Sequence, residues 1–412
     1  MNLTIDAAAI AADLDAIAAC SDTPPPGVTR VVYGEADLRA RAYLRARCAE
    51  AGLLLREDGL GNLFARWPGA EPDLPAVASG SHIDAIPHSG RFDGTVGVVG
   101  ALEALRALRR VGHVPRRSLE LLIFTSEEPT RFGVGCLGSR ALAGALNPAQ
   151  LRALRDGEGR TLDELRAAAG FTAPLEQVAL AQGTYAAFVE LHIEQGPLLE
   201  TEGLPIGVVR AIAAPAALRV HLQGEGGHAG AVLMLGRRDA LLAGAEIALA
   251  VERAALSTGR PDTVATTGRL TITPGAINAI PSAATLEIDV RDVAAEPRDR
   301  ALASIYSAVA EVCGRRHVAY QIEEVNADPP ATCDPEVVAT IIGACTELGL
   351  PYQVMVSRAY HDSLFMARIC PTAMIFIPCR GGVSHRPDEY SEPEQISQGV
   401  AVLAHALAAL SA

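Results

Sequence analysis

The chain has 412 residues, 49% of them hydrophobic, and its 35 basic against 48 acidic residues give a net charge of −13. An acidic chain without basic clusters disfavours nucleic acid or an anionic membrane surface as a partner. No apolar run approaches the roughly 20 residues that a membrane-spanning helix needs. The chain also has no lysine, which excludes Schiff-base catalysis on lysine, lysine-dependent P-loop chemistry and a metal centre bridged by a modified lysine.

The N-terminal stretch MNLTIDAAAIAADLDAIAAC carries Asp where a signal peptide would carry positive charge, so we predict an amphipathic helix there. The eight cysteines are scattered without a CxxC spacing. This disfavours a disulfide framework and a cysteine-type zinc site. Together these features favour a reducing cytoplasm as the location of the protein.

Short apolar runs alternate with helical patterns over much of the chain. The runs typical of buried strands are 76–84, 118–128, 186–196 and 372–379, and the helical patterns are 97–111 and 334–349. Near-continuous apolar runs suit a parallel or mixed sheet that is covered on both faces. Alternation of strand and helix indicates an α/β domain.

The segment from about 212 to 325 has a different order of elements. Strand, helix, strand, strand, helix and strand patterns follow one another there, which is the ferredoxin-like signature. We therefore predict two domains, an α/β catalytic domain formed by residues 1–211 and 326–412, and an inserted ferredoxin-like α+β domain formed by residues 212–325.

Polar residues cluster where the predicted strands of the α/β domain end, which is where open α/β sheets place their sites. They are His82 and Asp84 in GSHID, Asp93 in GRFDG, Glu127 and Glu128 in TSEEPTRF, His192 and Glu194 in ELHIEQG, and His385 in GGVSHRP. Three histidines and two carboxylates can hold two divalent ions about 3.5–4 Å apart if one carboxylate bridges them. Asp93 precedes a glycine and is suited to bridging. Asp84 shares one face of an extended segment with His82, so it can orient that imidazole.

The adjacent Glu127 and Glu128 favour hydrolysis. Like charges side by side are costly unless the two groups have separate tasks, one binding metal and the other handling protons. The structural alternative is a solvated helix N-terminus at SEEPT, where acidic side chains are favourable.

Six segments resemble the hydantoinase/carbamoylase-type amidases of the M20 peptidase superfamily, which include allantoate amidohydrolases, N-carbamoyl-L-amino-acid hydrolases and ureidoglycolate amidohydrolases. The segments are GSHIDAIPHSGRFDG, TSEEPTRFGVGCLGSR, ELHIEQGPLLE, GGHAG, GAINAIPSAATLEIDVRD and GGVSHRPDEYS. The resemblance runs from about Asp37 to the end. It implies a dimetal exopeptidase-like catalytic domain and an inserted domain that acts as a lid and forms a homodimer.

The resemblance also implies roles for individual residues. His82 and His192 would complete one metal site and Glu128 and His385 the other, with Asp93 as the bridge and Glu127 as the general acid/base. Two ions per subunit are implied, Mn²⁺ first; imidazole and carboxylate by themselves suit Zn²⁺ as well.

Four further positions carry implied roles from the inserted domain and its surroundings. His228 of GGHAG would stabilise the oxyanion across the dimer interface, and Gln195, Asn278 and Arg291 match positions that bind the substrate carboxylate. From the residues alone, Arg291 can instead pair with Asp289 or Asp292, and Asn278 can form a turn.

Two segments, HAGAVLM and SRAYHDSLFMA, depart from the commoner family pattern and resemble the ureidoglycolate amidohydrolase branch. Tyr360 stands where many relatives have glycine, and we expect it to narrow the pocket and to offer a hydroxyl to a small polar substrate. His361 is expected to touch the substrate, and Asp362 to cap the helix that follows.

The sequence therefore predicts a metal-dependent amidohydrolase that cleaves the ureido C–N bond of a small ureido acid, with ureidoglycolate as the first expectation. Allantoate and N-carbamoyl-L-amino acids are alternative substrates within the family. A dimetal aminopeptidase or dipeptidase shares the metal layout. A non-catalytic protein on the same scaffold would be expected to lack a ligand or the base, and none is missing from the sequence.

Overall fold

The computed structural model describes residues 3–412, which form two compact units. The sheet unit runs up to Arg210 and also contains Thr332–Met355 and His361–Ala412. The inserted unit contains Ala211–Ala331 and Val356–Tyr360.

The α-helices, in chain order, are α1 Ala7–Ala18, α2 Glu35–Glu50, α3 Thr95–Arg110, α4 Leu137–Leu142, α5 Pro148–Ala153, α6 Leu162–Ala168, α7 Leu198–Glu202, α8 Ala240–Ser257, α9 Ala295–Arg316, α10 Pro335–Leu348, α11 Asp362–Met366 and α12 Pro393–Leu410. The strands are β1 Val28–Arg30, β2 Leu54–Glu57, β3 Leu63–Trp67, β4 Ala76–His82, β5 Ala85–Ser89, β6 Leu119–Phe124, β7 Tyr185–Ile193, β8 Ile206–Ile212, β9 Ala214–Gln223, β10 Gly227–His228, β11 Val264–Thr273, β12 Ala279–Ile280, β13 Ala283–Asp292, β14 Ala319–Ala327, β15 Ala331–Thr332, β16 Tyr352–Ser357 and β17 Thr372–Ile377.

A mixed sheet forms the centre of the sheet unit. Its strand order is β15-β8-β17-β7-β4-β6-β3-β2, with β16 paired to β8. The neighbours β17, β7, β4 and β6 are parallel to one another, and every residue of β4, β6 and β17 is buried. The near-continuous apolar runs of the sequence are therefore central strands covered on both faces, as predicted.

Helices cover the central strands, and their ends follow local sequence signals. On one face α3 packs against β4 and α12, and 13 of its 16 residues are buried. Helix α10 packs against α12; it begins where the Asp334 carboxylate accepts the backbone N–H of Val337 and ends at Gly349 in the left-handed conformation. Packing fixes these helices against the sheet whose strand ends carry the site.

The inserted unit has the predicted ferredoxin-like fold. Its elements follow in the order β9, α8, β11, β13, α9 and β14, and its antiparallel sheet has the order β11-β13-β9-β14. Alternate residues of β9 and β13 point to one face, where Leu218, Val220, Leu286 and Ile288 form a core with α8 and α9.

The predicted N-terminal helix is α1, and the first two residues of the stretch that predicts it lie outside the described range. Between residues 3 and 412, no helix combines the length and the apolar character needed to cross a membrane. All eight cysteines are free thiols.

Candidate metal centre

Three neighbouring parallel strands, β7, β4 and β6, bring three of the predicted ligands to one edge of the sheet. His82 is the last residue of β4, His192 lies near the end of β7, and His82 is in register with the last residue of β6, Phe124. The sequence extended this third strand to residue 128, but it ends at Phe124 because Ser126 is in the left-handed conformation, with φ 57°. Glu127 and Glu128 therefore lie on the turn that leaves the sheet.

His82, Asp93 and His192 form the first group of candidate ligands. One ligand atom from each lies within 4.8 Å of the others. The Asp93 Oδ1 atom is 3.1 Å from His192 Nε2 and 3.6 Å from His82 Nε2.

A hydrogen bond at Nδ1 fixes the orientation of the imidazole rings of His82 and His192. Nδ1 of His82 lies 3.0 Å from the carbonyl oxygen of Asp84, and Nδ1 of His192 lies 2.9 Å from the carbonyl oxygen of Ile193. Because a carbonyl oxygen only accepts, each Nδ1 donates its proton to it. When neutral, as it must be to bind a metal, each ring would therefore present the lone pair of Nε2 on the side of Asp93.

Gly94 allows this close arrangement. A Cβ atom at Gly94 would overlap the His82 ring, and the residue has φ 61°. A side chain at this position is therefore excluded by contact and disfavoured by backbone conformation.

Asp93, Glu128 and His385 form the second group of candidate ligands. His385 Nε2 is 3.2 Å from Asp93 Oδ2 and 3.3 Å from Glu128 Oε1. Asp93 thus faces the first group with one oxygen and the second group with the other, which is the geometry of a bridging carboxylate.

The electrostatics of the two groups centre on Asp93. Burial opposes its ionisation, but contacts with His192, His385 and His82 outweigh burial and hold its pKa well below the ordinary value. Hydrogen bonding to Asp93 and then to Glu128 raises the pKa of His385 to about 11. In the absence of a cation, protons on the histidines thus stabilise the carboxylates.

Glu127 lies beside the first group without belonging to either. Its Oε2 atom is 3.8 Å from His82 Nε2, while its Oε1 atom accepts a hydrogen bond from the Cys136 thiol at 3.3 Å. Burial, above all, raises the pKa of Glu127 well above its ordinary value. A buried carboxyl with a raised pKa next to candidate ligands is suited to accepting and returning protons.

Asp84 touches both segments that supply these groups. Its backbone carbonyl is the atom that orients His82, whereas its carboxylate accepts the backbone N–H groups of Glu127 and Glu128, each at 3.0 Å. The sequence suggested a direct contact from the carboxylate to His82, and that distance is 3.7 Å. Asp84 therefore fixes the turn that carries the two glutamates as well as the imidazole.

His361 and Asp362 lie against the same groups from the side of α11. The ring of His361 is buried and its centroid is 4.5 Å from that of His192. The prediction that Asp362 caps α11 is wrong, because His361 is the N-cap and the buried Asp362 carboxylate accepts from Ser139. The Asp362 carboxylate hydrogen-bonds the buried Ser139 hydroxyl and not the backbone N–H groups at the start of α11.

Glu190 is a buried acid that the sequence analysis did not identify. Its carboxylate accepts the hydroxyl of Ser81 at 2.7 Å and that of Ser363 at 2.6 Å. With His192 and His361 it forms a third group of possible ligands, which shares His192 with the first. Its two hydroxyl partners give it a structural task, tying β7 to β4 and α11.

Glu194 and Gln195, which follow His192 in the sequence, differ in their contacts. The Gln195 amide nitrogen is 2.8 Å from Asp93 Oδ2 and 3.2 Å from the Ser384 hydroxyl, so it contacts the shared carboxylate. Glu194 accepts the backbone N–H groups of Leu198 and Leu199 at the start of α7. A substrate role for Gln195 stays a prediction.

The remaining predicted site residues belong to the inserted unit. The exposed His228 accepts the N–H of Gly230 at Nδ1, so its neutral ring carries the proton on Nε2, as an oxyanion donor requires. Asn278 lies in an exposed turn whose carbonyl accepts from Ala229. Arg291 makes a two-pronged ion pair with Asp289, at 2.7 and 3.2 Å, as one sequence alternative foresaw. Tyr360 is half-buried, and the substrate roles of these residues stay predictions.

Four residues in or near the candidate metal centre have a left-handed backbone conformation that the sequence did not predict. Ser126, Cys136, Gln195 and His385 are non-glycine residues with φ between 52° and 59°. Such conformations are uncommon for these residue types and persist where the surrounding structure holds them.

The donor set fits divalent cations. The buried Glu128 Oε1 atom lies 3.3 Å from His385 Nε2, so the two atoms are close enough to share one cation. Imidazole nitrogens and carboxylate oxygens in two groups that share Asp93 match a two-ion centre of Zn²⁺ or Mn²⁺ type.

A mixed sheet with parallel central strands, such a candidate two-ion centre and a ferredoxin-like insertion are together typical of a class of metallohydrolases. The sequence model of peptidase family M20/M25/M40 matches residues 78–409, and the chain belongs to this family. The family match confirms the M20 part of the predicted resemblance, and the relatives described next confirm the hydantoinase/carbamoylase-type amidase part, so the chain is a hydrolase of linear C–N bonds.

Individual relatives narrow the comparison. The chain is 52% identical to a ureidoglycolate hydrolase of Arabidopsis thaliana, over 100% of this chain and 88% of that protein. It is 39% identical to an N-carbamoyl-L-amino acid amidohydrolase of Geobacillus stearothermophilus, over 93% of each. The crystal structure of AtUAH in complex with glyoxylate superposes with a TM-score of 0.89 at 52% identity, covering 99% of this chain and 98% of that one.

Proposed function

We propose that this protein is a metal-dependent amidohydrolase that converts ureidoglycolate to glyoxylate, ammonia and carbon dioxide. The observation that carries the proposal is the 52% identity to a ureidoglycolate hydrolase along the entire chain. The likeness to a structure that holds glyoxylate supports the same product. The lower identity to a carbamoyl amino acid amidohydrolase makes that substrate class the alternative.

We infer that two divalent ions per subunit, Mn²⁺ first and Zn²⁺ as the alternative, occupy the two groups. His82, Asp93 and His192 would hold one ion, and Asp93, Glu128 and His385 the other, which agrees with the two clusters of ligand atoms. Such ions supply polarisation of the carbonyl and a lowered pKa of water.

Glu127 is the proposed general acid/base. Its Oε2 atom lies 3.8 Å from His82 Nε2 of the first group, which supports the proposal that it takes the proton of the attacking water. The same carboxyl then returns the proton to the departing nitrogen of the ureido group. The released carbamate breaks down to carbon dioxide and ammonia. The remaining hydroxyglycine loses ammonia to give glyoxylate.

The substrate is proposed to be held by its carboxylate and hydroxyl. Arg291 offers a planar fork that matches a carboxylate, and its present partner Asp289 is one that a substrate carboxylate would replace. Gln195, Asn278, Tyr360 and His361 are the other proposed contacts, and His228 of the partner subunit is the proposed oxyanion donor.

We propose a homodimer formed through the inserted unit. Strand β11 is an edge of its sheet, so one side of its backbone is open to another strand. Helix α8 packs beside β11 and exposes three leucines at a spacing of seven residues, with exposed fractions of 40, 58 and 74% for Leu242, Leu249 and Leu256. An open sheet edge beside an apolar stripe on a helix supports pairing with a second copy of the chain.

We also propose that the protein is located in a reducing cytoplasm, with which its eight free thiols agree.

A substrate panel tests the proposal. Protein reconstituted with Mn²⁺ is assayed for ammonia release from ureidoglycolate, allantoate, N-carbamoyl-L-amino acids, N-carbamoyl-β-alanine and, by amino acid release, a dipeptide. Ureidoglycolate is expected to give the highest kcat/KM; a preference for any other compound overturns the substrate assignment. Glu127→Gln is the control and is expected to lose about 10²–10⁴-fold in kcat while still binding Mn²⁺.

A further inference from the structure

Glu389 is a buried acid in the segment GGVSHRPDEYS, four residues after His385 and 3% exposed. It belongs to neither group of candidate ligands. We propose that Glu389 is a positioning residue that sets the place of Asp93, the carboxylate shared by both groups. The inference rests on the metal centre of the proposed function.

One oxygen of Glu389 holds the backbone that carries Asp93. Its Oε1 atom accepts the N–H of Phe92 at 2.8 Å and the N–H of Asp93 at 3.0 Å. These amides precede α3, so the helix does not bond them, and a buried amide needs a partner from elsewhere. Glu389 supplies that partner from almost three hundred residues further along the chain.

The other oxygen reaches the Asp93 side chain through one hydroxyl. Glu389 Oε2 is 3.0 Å from Ser384 Oγ, and Ser384 Oγ is 2.9 Å from Asp93 Oδ2. The same Asp93 oxygen faces His385 Nε2. Glu389 therefore bonds the main chain of Asp93 directly and shares the Ser384 hydroxyl with the side chain of Asp93. Because this hydroxyl has one proton, it donates to one of the two carboxylates at a time.

A glycine in the loop makes room for this contact. A Cβ atom built on Gly90 would overlap the Cβ, Cδ and Oε1 atoms of Glu389. In the loop HSGRFDG, the backbone of Gly90, which carries no side chain, thus packs directly against the Glu389 side chain. Close backbone approach of this kind fixes the acid's position more tightly than a surface hydrogen bond would.

The alternative is that Glu389 only stabilises the fold. Its neighbour Tyr390 packs edge-on against Phe92 at 5.8 Å between ring centroids, so the segment has a second contact with the same loop. The two interpretations differ in metal affinity. A fold-stabilising residue affects the thermal midpoint of the protein, whereas a positioning residue affects the affinity of the folded protein for cations.

The test is Mn²⁺ titration of chelator-treated, full-length variants by isothermal calorimetry, with the thermal midpoint of each metal-free variant measured in parallel. Glu389→Ala is expected to bind Mn²⁺ about 10- to 100-fold more weakly, as removal of a group that orients a metal ligand commonly does. Glu389→Gln keeps an acceptor for both amides and is expected to stay within about threefold of the parent protein. Asp388→Asn is the matched control, since Asp388 is exposed and pairs with its near neighbour Arg386 at 2.7 Å.

Parent affinity in Glu389→Ala, or an equal loss in Asp388→Asn, overturns the positioning role. If Glu389→Ala does not fold, Ser384→Ala decides instead, because it removes the hydroxyl between the two carboxylates; unchanged affinity in that variant also overturns the inference. Failure of the parent protein itself to bind two Mn²⁺ ions would refute the proposed metal centre, which separates the two outcomes.

Discussion

The two carboxylate oxygens of Glu127 have different neighbours, and this asymmetry bears on its proposed task. One oxygen receives the Cys136 thiol and the other faces His82. Burial raises the pKa of Cys136 well above its ordinary value, so the thiol stays protonated and acts as the donor. The backbone N–H of Cys136 also bonds the carbonyl of Glu127, at 2.6 Å. A proton arriving at Glu127 is thereby directed to the oxygen nearer the ligands.

Cys136→Ala is expected to lower kcat about 2- to 10-fold, because one neutral hydrogen bond contributes about 1 kcal/mol. KM and Mn²⁺ affinity should be unchanged, since neither substrate nor ligand groups are altered. Cys136→Ser keeps a donor and is expected to retain most of the activity, although burying a hydroxyl lowers the thermal midpoint. Steady-state kinetics on all variants provide the measurement.

The control is Cys345→Ala on α10, another fully buried cysteine of the sheet unit. It should lower stability and leave kcat of the folded enzyme intact. Equal kcat values for Cys136→Ala and Cys345→Ala would show that the thiol does not orient Glu127.

Sequence reasoning placed eight polar residues at or beyond the ends of apolar runs, and the family resemblance singled out five of them as candidate ligands. His82, Glu128 and His192 could be placed at one sheet edge once the strands were taken as parallel. Glu389 and Cys136 were not identified as site residues, because their partners lie on other elements and the residue in the left-handed conformation is a cysteine and not a glycine. Asp362 was assigned to a cap by a local rule that a tertiary contact with Ser139 overrode.

The elements that the sequence predicted are long ones, although the long helices α2 and α12 were not among them. The shortest elements were not predicted. The ferredoxin-like order and the central strands follow from periodicity sustained over six or more residues. Helices α4, α5 and α6 have six or seven residues each, too few for a helical period to stand out. Strands β10 and β12 have two residues each and are fixed by mutual pairing, which no local pattern encodes.

The leucine stripe of α8 supports an experiment on assembly. The double variant Leu249→Glu and Leu256→Glu places charge at exposed positions, where the folded subunit itself should tolerate it. If the stripe is covered by a second copy, burying two carboxylates there is costly and the dimer is expected to dissociate to monomers. Light scattering coupled to size-exclusion chromatography measures the mass.

Val114→Glu serves as the matched control, since Val114 is an aliphatic residue of the sheet unit that is 75% exposed. It should leave the mass of the parent protein unchanged. A double variant that keeps the mass of a dimer would remove α8 from the interface.

Protons and cations compete for the centre, which makes stability depend on pH at the scale of the entire molecule. Hydrogen bonds to Asp93 raise the pKa of His385 from 6.5 to about 11, and burial raises the pKa of Glu389 from 4.5 to about 7. Both groups bind protons more tightly in the folded state than in the unfolded state. The stability that His385 contributes is full below pH 6.5 and is lost as pH rises towards 11, and that of Glu389 is lost as pH rises through about 7.

The thermal midpoint of chelator-treated protein is therefore expected to fall between about pH 6.5 and 8.5. Mn²⁺ favours deprotonated ligands, so the metal-loaded protein should show a smaller fall over the same range. Differential scanning calorimetry on both forms makes the comparison. A midpoint of the metal-free protein that rises over this range would contradict the assignment.

Strand β17 lies between β7 and β8 in the sheet, yet it is the last of the three to be synthesised. Translation delivers the chain from its N-terminus at about 5–20 residues per second, so His82, Asp93 and His192 leave the ribosome well before His385. The first group of ligands can therefore form on a nascent chain. The second group can form only after the inserted unit has been synthesised and β17 has paired between β7 and β8. Products that stop before residue 385 are thus expected to lack the second group of ligands and, with it, the activity proposed above.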